Sequence, residues 1–206
     1  MADIYAFPIG VEPRTADGVD SRTPLPERPD GVPDDVWNAV ESVRVMDRLE
    51  DMEYREIPVP QTLADYGIGV SMETRSDRSP HVSGWIMLLH AREPRDDWGS
   101  RWRCVAFAAI PLEPKENTSL APDMYWDDLC RRMGGVRRDS MGGTVTVTQN
   151  TTFGSLGVDD SAGCEIRVSF TPVTEPGGMF DAGATVGDWA RFIRSTIRFD
   201  EDDIVD

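Results

Sequence analysis

The chain has 206 residues, 37 of them acidic and 21 basic, and its formal net charge is −16. A strongly negative surface repels phosphate backbones and anionic lipids, so neither nucleic acid nor membrane is expected as a partner. No run of about 18 apolar residues occurs, so no transmembrane helix is predicted. The length favours one domain with polar ends.

Both ends of the chain are polar, and we predict that they lie outside the domain. Residues 1–33 are predicted to be a flexible, proline-rich extension, 34–199 a single α+β domain, and 200–206 an acidic, disordered tail. The extension contains one short apolar cluster, Ile4, Tyr5, Phe7 and Ile9. With no leader pattern and no CxxC spacing among three cysteines, the sequence predicts a cytoplasmic, reduced protein.

The first elements follow from proline positions and apolar spacing. A helix is predicted over 33–47, because proline suits the first helical position and Asp34 and Asp35 favour the positive end of the helix dipole. Residues 52–60 are extended, and their prolines predict an edge strand or a connector.

Three strands are predicted next. Residues 66–73 alternate between apolar and small or polar residues, which indicates one covered face. Residues 84–90 and 102–110 are apolar on both faces. Both faces of these two strands are therefore expected to be covered.

A helix over 123–133, strands over 143–152 and 164–171, and a final helix complete the order. The last helix is predicted to start at Thr185, with Asp188 completing a capping box. The order α-βββ-α-ββ-α predicts an α+β fold, with an antiparallel sheet of about five strands and three helices.

No catalytic, metal-binding or cofactor-binding constellation is recognisable. His81 and His90 are interpreted as partly exposed polar residues of a loop and a strand end, and Cys104, Cys130 and Cys164 as buried structural thiols. No metal or cofactor is predicted, and enzymatic activity is uncertain but disfavoured.

One basic cluster stands out, formed by Arg131, Arg132, Arg137 and Arg138. Cations are favoured at the C-terminal end of a helix, which is the first interpretation of the cluster. Contact with an anion or with a partner is the alternative.

Because the two central strands are apolar on both sides, one face is predicted to need a cover other than the helices. We assign to it Ile86, Leu88, Val105 and Phe107. A monomer rarely leaves such a patch exposed. The cover could be a second copy, another protein, or the Ile4–Ile9 segment acting as a removable lid, unless a helix already covers this face.

Five segments carry a family resemblance: EIPVPQ at 56–61, GWIMLLH at 84–90, WG at 98–99, GTVT at 143–146 leading to FG at 153–154, and RVSFTP at 167–172. In order and spacing they resemble the domain of unknown function 3000 family of actinobacterial proteins, over about residues 36–195. That family has no established activity, so the resemblance implies a lineage and no catalytic residues.

The order of elements also resembles the secretion-chaperone-like fold, whose members tend to dimerise and to bind protein segments. We therefore expect a non-enzymatic, cytoplasmic protein-binding module, chaperone-like and dimeric, whose partner is a second copy or another protein. The alternative is an enzyme or small-ligand-binding protein with a pocket between sheet and helices.

Overall fold

The computed structural model describes residues 27–75, 81–112, 117–156 and 160–197. Its helices are α1 (Asp34–Val45), α2 (Ala121–Arg132) and α3 (Ala182–Ser195). Its strands are β1 (Met52–Glu56), β2 (Tyr66–Thr74), β3 (Ser83–Arg95), β4 (Ser100–Leu112), β5 (Gly142–Thr151) and β6 (Asp160–Phe170). The strands form one antiparallel sheet of order β1-β2-β3-β4-β6-β5. The helices and one face of this sheet enclose the main core.

The α+β class, the three helices and the antiparallel sheet are confirmed, but the sheet has six strands rather than about five. The additional strand is β1, which pairs with β2 at the edge of the sheet. Pro58 and Pro60 lie just beyond it, where no ladder hydrogen bond is needed from their missing N–H groups. The order is therefore α-ββββ-α-ββ-α.

Strand register decides which side chains reach the core. Ile86 lies opposite Ala106, and Leu88 lies opposite Cys104. All four of these residues are at most 1% exposed, and they belong to the core beneath the helices. The predicted partner-binding face therefore loses two of its members, Ile86 and Leu88.

Val105 and Phe107 lie on the opposite face, paired with Met87 and Trp85 of β3. The prediction that they share a face with Ile86 and Leu88 is wrong. Alternation within each strand is as expected, but a shift of one residue between two strands exchanges their faces. The β3–β4 ladder contains a register irregularity between His90 and Arg95, which strand patterns alone do not reveal.

Of the three helices, α3 has the most buried residues, among them fully buried Trp189 and Phe192. It begins at Ala182 rather than at Thr185, because Asp181 Oδ1 accepts a 2.8 Å hydrogen bond from the N–H of Ala184 and caps the helix. Asp188, expected in a capping box, instead accepts from the N–H of Gly134.

The face of the sheet away from the helices is partly covered near β2 by residues 57–64, which we call the strap. A Cβ atom at Gly67 would lie 2.6 Å from Val59 Cγ1, and one at Gly69 would lie 2.4 Å from the Ile57 carbonyl oxygen. Glycine at both positions thus lets the strap lie directly on the sheet. Val59 packs there in a small second cluster with Leu89, Ala91 and Trp98.

Replacing Gly69 by alanine should displace the strap, since the new methyl group meets backbone rather than a flexible side chain. We expect Gly69→Ala to lower the free energy of unfolding by about 1–3 kcal/mol, the usual cost of overpacking, as measured by urea denaturation. Gly163→Ala in β6 is the matched control, because its Cβ would have no neighbour closer than 3.6 Å. Equal effects of the two substitutions would contradict this account of the strap.

Candidate functional site

The candidate site lies on the open face, the face of the sheet opposite the three helices. Its centre is the aromatic patch, which we define as Trp85, Met87, Val105 and Phe107. All four side chains are half-buried. The rings of Trp85 and Phe107 stack with their centroids 5.9 Å apart and their planes at 24°.

A depression of about 230 Å³ adjoins the patch. It is lined by Arg55, Ser71, Met72, Glu73, Ser83, Gly84, Trp85 and Phe107. Pockets for drug-sized ligands and cofactors usually measure about 300–1,000 Å³. The depression is therefore better suited to one side chain of a polypeptide than to a cofactor.

Charged pairs border the patch on both sides. Arg55 lies 2.8 Å from Glu53 and 3.4 Å from Glu73 on one side. On the other, Arg167 lies 2.7 Å from Glu165, and its guanidinium carbon lies 5.3 Å from the centroid of the Phe107 ring. Such exposed pairs contribute little to stability, but they place charge of both signs around an apolar centre.

Polar contacts close one end of the open face. Arg103 donates hydrogen bonds to Ser169 Oγ at 2.6 Å and to Thr171 Oγ1 at 3.2 Å. Thr171 Oγ1 donates in turn to the carbonyl of Trp98, and the Arg95 guanidinium covers the Trp98 ring at 4.3 Å. Together with the strap, these contacts cover the sheet beside the aromatic patch.

A buried pair of titratable residues lies on the helix-covered face. His90 Nε2 lies 2.9 Å from Asp35 Oδ2, and the two side chains are 1% and 10% exposed. The expectation that His90 is partly exposed is wrong, because it lies on the same face of β3 as Ile86 and Leu88. The alternation in the sequence could have revealed this, because His90 follows Leu88 by two residues and therefore lies on the same face of the strand.

The pair fits a structural role better than a catalytic one. Since a carboxylate only accepts, Nε2 carries the shared proton, which leaves Nδ1 as an acceptor. Among the residues that the structure describes, Nδ1 has no hydrogen-bond partner. Nucleophilic catalysis needs a hydroxyl or thiol at that nitrogen, and burial keeps substrates away.

The four arginines of the predicted basic cluster do not converge on one point. Arg138 donates to the carbonyls of Cys130 and Met133 at the C-terminal end of α2. Arg131 and Arg132 donate to Asp128, and Arg137 donates to the Gly99 carbonyl. The contacts of Arg138 fit the helix-end interpretation, whereas Arg137 contacts the turn between β3 and β4. An anion or partner contact by these residues stays a prediction.

Two of the three cysteines, Cys104 and Cys164, are buried as expected, and Cys130 is half-buried. Burial raises the pKa of Cys104, and it raises the pKa of Cys164 to about 11, so both remain thiols at neutral pH. The described parts of the chain hold no group of three or more His, Cys, Asp or Glu residues suited to a metal ion. Nor do they include a helix long and apolar enough to cross a membrane.

The predicted docking segment, Ile4, Tyr5, Phe7 and Ile9, lies outside the described residues, as does the acidic tail. The fold and the site together define an α+β protein with helices on one face of a six-stranded antiparallel sheet and an aromatic patch on the other.

The chain belongs to the family described as "Protein of unknown function (DUF3000)", whose model matches residues 32–197. The match confirms the expected family, and it extends from just before α1 to just after α3. Comparison with curated proteins and with solved structures gave no match.

The buried imidazole should make folding pH-dependent. Desolvation lowers the pKa of His90, with Arg101 acting in the same direction and Asp35 and Asp65 opposing it. Below about pH 6.5 the unfolded chain takes up a proton that the folded chain resists. The free energy of unfolding should therefore decrease as the pH is lowered, by at most about 1.4 kcal/mol per pH unit.

His90→Gln retains a donor for Asp35 but does not titrate, so the difference in unfolding free energy between wild type and variant should shrink as the pH falls. Urea denaturation across the acid range measures this difference. His81→Gln, at an imidazole whose side chain is 65% exposed, is the matched control. The account fails if both variants show the same pH profile.

Proposed function

We propose that the chain is a cytoplasmic, non-enzymatic polypeptide-binding module and that the open face is its binding surface. One observation carries this proposal: the aromatic patch lies on the sheet face that no helix of the described residues covers. Tryptophan and arginine are the residues most enriched among strong contacts between proteins, and both occur here.

The chemistry of the open face favours an extended segment with an apolar anchor and flanking polar groups. The depression beside Trp85 and Phe107 accepts one side chain, while Arg55, Glu73 and Arg167 offer partners of either charge to the flanking residues. Such a combination of apolar centre and polar rim is typical of protein interfaces.

The occupant to which we commit is the chain's own apolar segment Ile4–Ile9, which a partner segment of similar chemistry would displace. The described chain begins close to β2, where the carbonyl of Gly31 accepts a 3.2 Å hydrogen bond from Tyr66 Oη. The patch lies about 20 Å from there in the plane of the sheet, and the segment must also pass around the sheet, because Tyr66 lies on the helix side. Residues 10–26 span up to about 56–61 Å when extended, so the segment can reach the patch.

A pocket between sheet and helices, which the alternative function requires, is not favoured by the packing. That space is filled by large, fully buried side chains from both layers, among them Trp102, Phe170, Trp189 and Phe192. The polypeptide-binding function, similar in kind to that of secretion chaperones, is therefore the one we put forward.

The test uses a synthetic peptide of residues 1–12 and a chain that lacks these residues. The deletion leaves every described contact in place, because the described chain begins at Glu27. We expect the peptide to bind the shortened chain in isothermal titration calorimetry. It should bind the full chain at least several-fold more weakly, because the attached segment competes at high effective concentration.

Phe107→Ser in the shortened chain should abolish this binding, since it removes the stacking partner of Trp85. Phe153→Ser is the matched control: Phe153 is 76% exposed and lies outside the patch, so this variant should bind normally. The proposed occupant is refuted if the peptide fails to bind the shortened chain or binds the Phe107→Ser variant unchanged.

A further inference from the structure

The two edges of the sheet differ in how they are protected against pairing with another strand. β1 has only five residues, three of them charged: Glu53, Arg55 and Glu56. The strap with Pro58 and Pro60 follows at once. Short length, charge and proline are the usual devices that keep an edge strand from associating.

β5, at the other edge, has none of these devices. It runs for ten residues, Gly142–Thr151, with no charged residue and no proline. Its position at the end of the strand order leaves its outer edge without a strand among the described residues. Threonine and valine, which are strong strand formers, occupy most of its length. An edge of this kind is suited to accept a further strand.

We infer that β5 pairs antiparallel with β5 of a second copy of the chain, so that two sheets join into one of twelve strands. The charge of the molecule favours this site for self-association. With a net charge of −16, two copies repel each other over most of their surfaces. An uncharged strand offers a contact that brings no like charges of its own together.

The sequence of β5 is also compatible with two-fold symmetry. Antiparallel pairing about an axis perpendicular to the sheet keeps the helices of both copies on one side, so residues opposite each other must share a face. A register centred on Thr146 satisfies this condition. It sets Thr144 against Thr148 of the partner subunit on the open face, and Val145 against Val147 of the partner subunit on the helix side. Pairs of this type stabilise antiparallel strands.

The dimer goes beyond the proposed polypeptide binding, because it uses an edge that does not include the aromatic patch. It also has a consequence for that function. Both aromatic patches would lie on the same side of the joined sheet. The two β4 strands would be separated by five intervals of about 4.8 Å, or about 24 Å. A partner with two suitable segments could then occupy both patches at once.

The first test is the mass of the full chain in size-exclusion chromatography with light scattering. We expect wild type at twice 22.9 kDa and Thr146→Lys at 22.9 kDa, because this substitution places two ammonium groups opposite each other at the symmetry axis. Val45→Lys changes the net charge equally at a residue that is 76% exposed at the end of α1, and it should remain dimeric. A monomeric wild type, or a dimeric Thr146→Lys, would overturn the inference.

The second test detects the register through the formation of a cross-link. A variant that merely loses its structure would therefore not give the expected result. After oxidation with copper phenanthroline, Thr146→Cys should give a disulfide-linked dimer on a non-reducing gel, above any wild-type background. In Thr148→Cys the two thiols would lie about 14 Å apart along the strands, beyond the Cα separation of about 7 Å that a disulfide bridges. Equal cross-linking of both variants would refute the register.

These outcomes are separable from those of peptide binding. Phe107→Ser should remain dimeric, since Phe107 lies on β4 and not on the edge strand. A monomeric Phe107→Ser would contradict pairing through β5 alone, whereas failure of the peptide to bind would leave the mass of the dimer unchanged.

Discussion

The register of the β3–β4 hairpin is the constraint on which the rest of the structure depends. It sets Leu88 against Cys104 beneath the helices and Trp85 against Phe107 on the other side. A shift of β4 by one residue would bring Val105 and Phe107 under α3 and expose the small residues Ala106 and Ala108. The same pairing therefore decides both the composition of the core and the composition of the open face.

Small residues on the sheet show where other chain segments approach it closely. Gly84 lies beneath Ile193 of α3, where a Cβ would come within 2.5 Å of the Ile193 Cδ1 atom. Gly67 and Gly69 accommodate the strap on the opposite face in the same way. The strap leaves the centre of the open face uncovered, and the large aromatic side chains of Trp85 and Phe107 rather than small residues occupy it. This contrast is one reason why we propose the patch as a binding surface.

The two contact surfaces that we propose lie on one sheet, and neither carries the excess of negative charge that dominates the molecule. The patch is apolar with charges of both signs at its border, and β5 carries no charge at all. Elsewhere, repulsion between like charges opposes close contact. The buried His90–Asp35 pair belongs to neither surface. It ties the middle of β3 to the first turn of α1, two elements that are distant in sequence.

The sequence by itself determined the class, the family, the three helices and the alternation along β2, β3, β4 and β6, because propensity and a period of two are local properties. It also indicated that 52–60 could form an edge, through its prolines. Only the tertiary structure decided that Val105 and Phe107, rather than Ile86 and Leu88, lie on the open face, since register depends on contacts between strands. It likewise decided that Asp181, and not Thr185, caps α3. Both residues can cap a helix, but the turn before Thr185 is helical in the structure, and its Gly183 packs closely against Ser42 of α1.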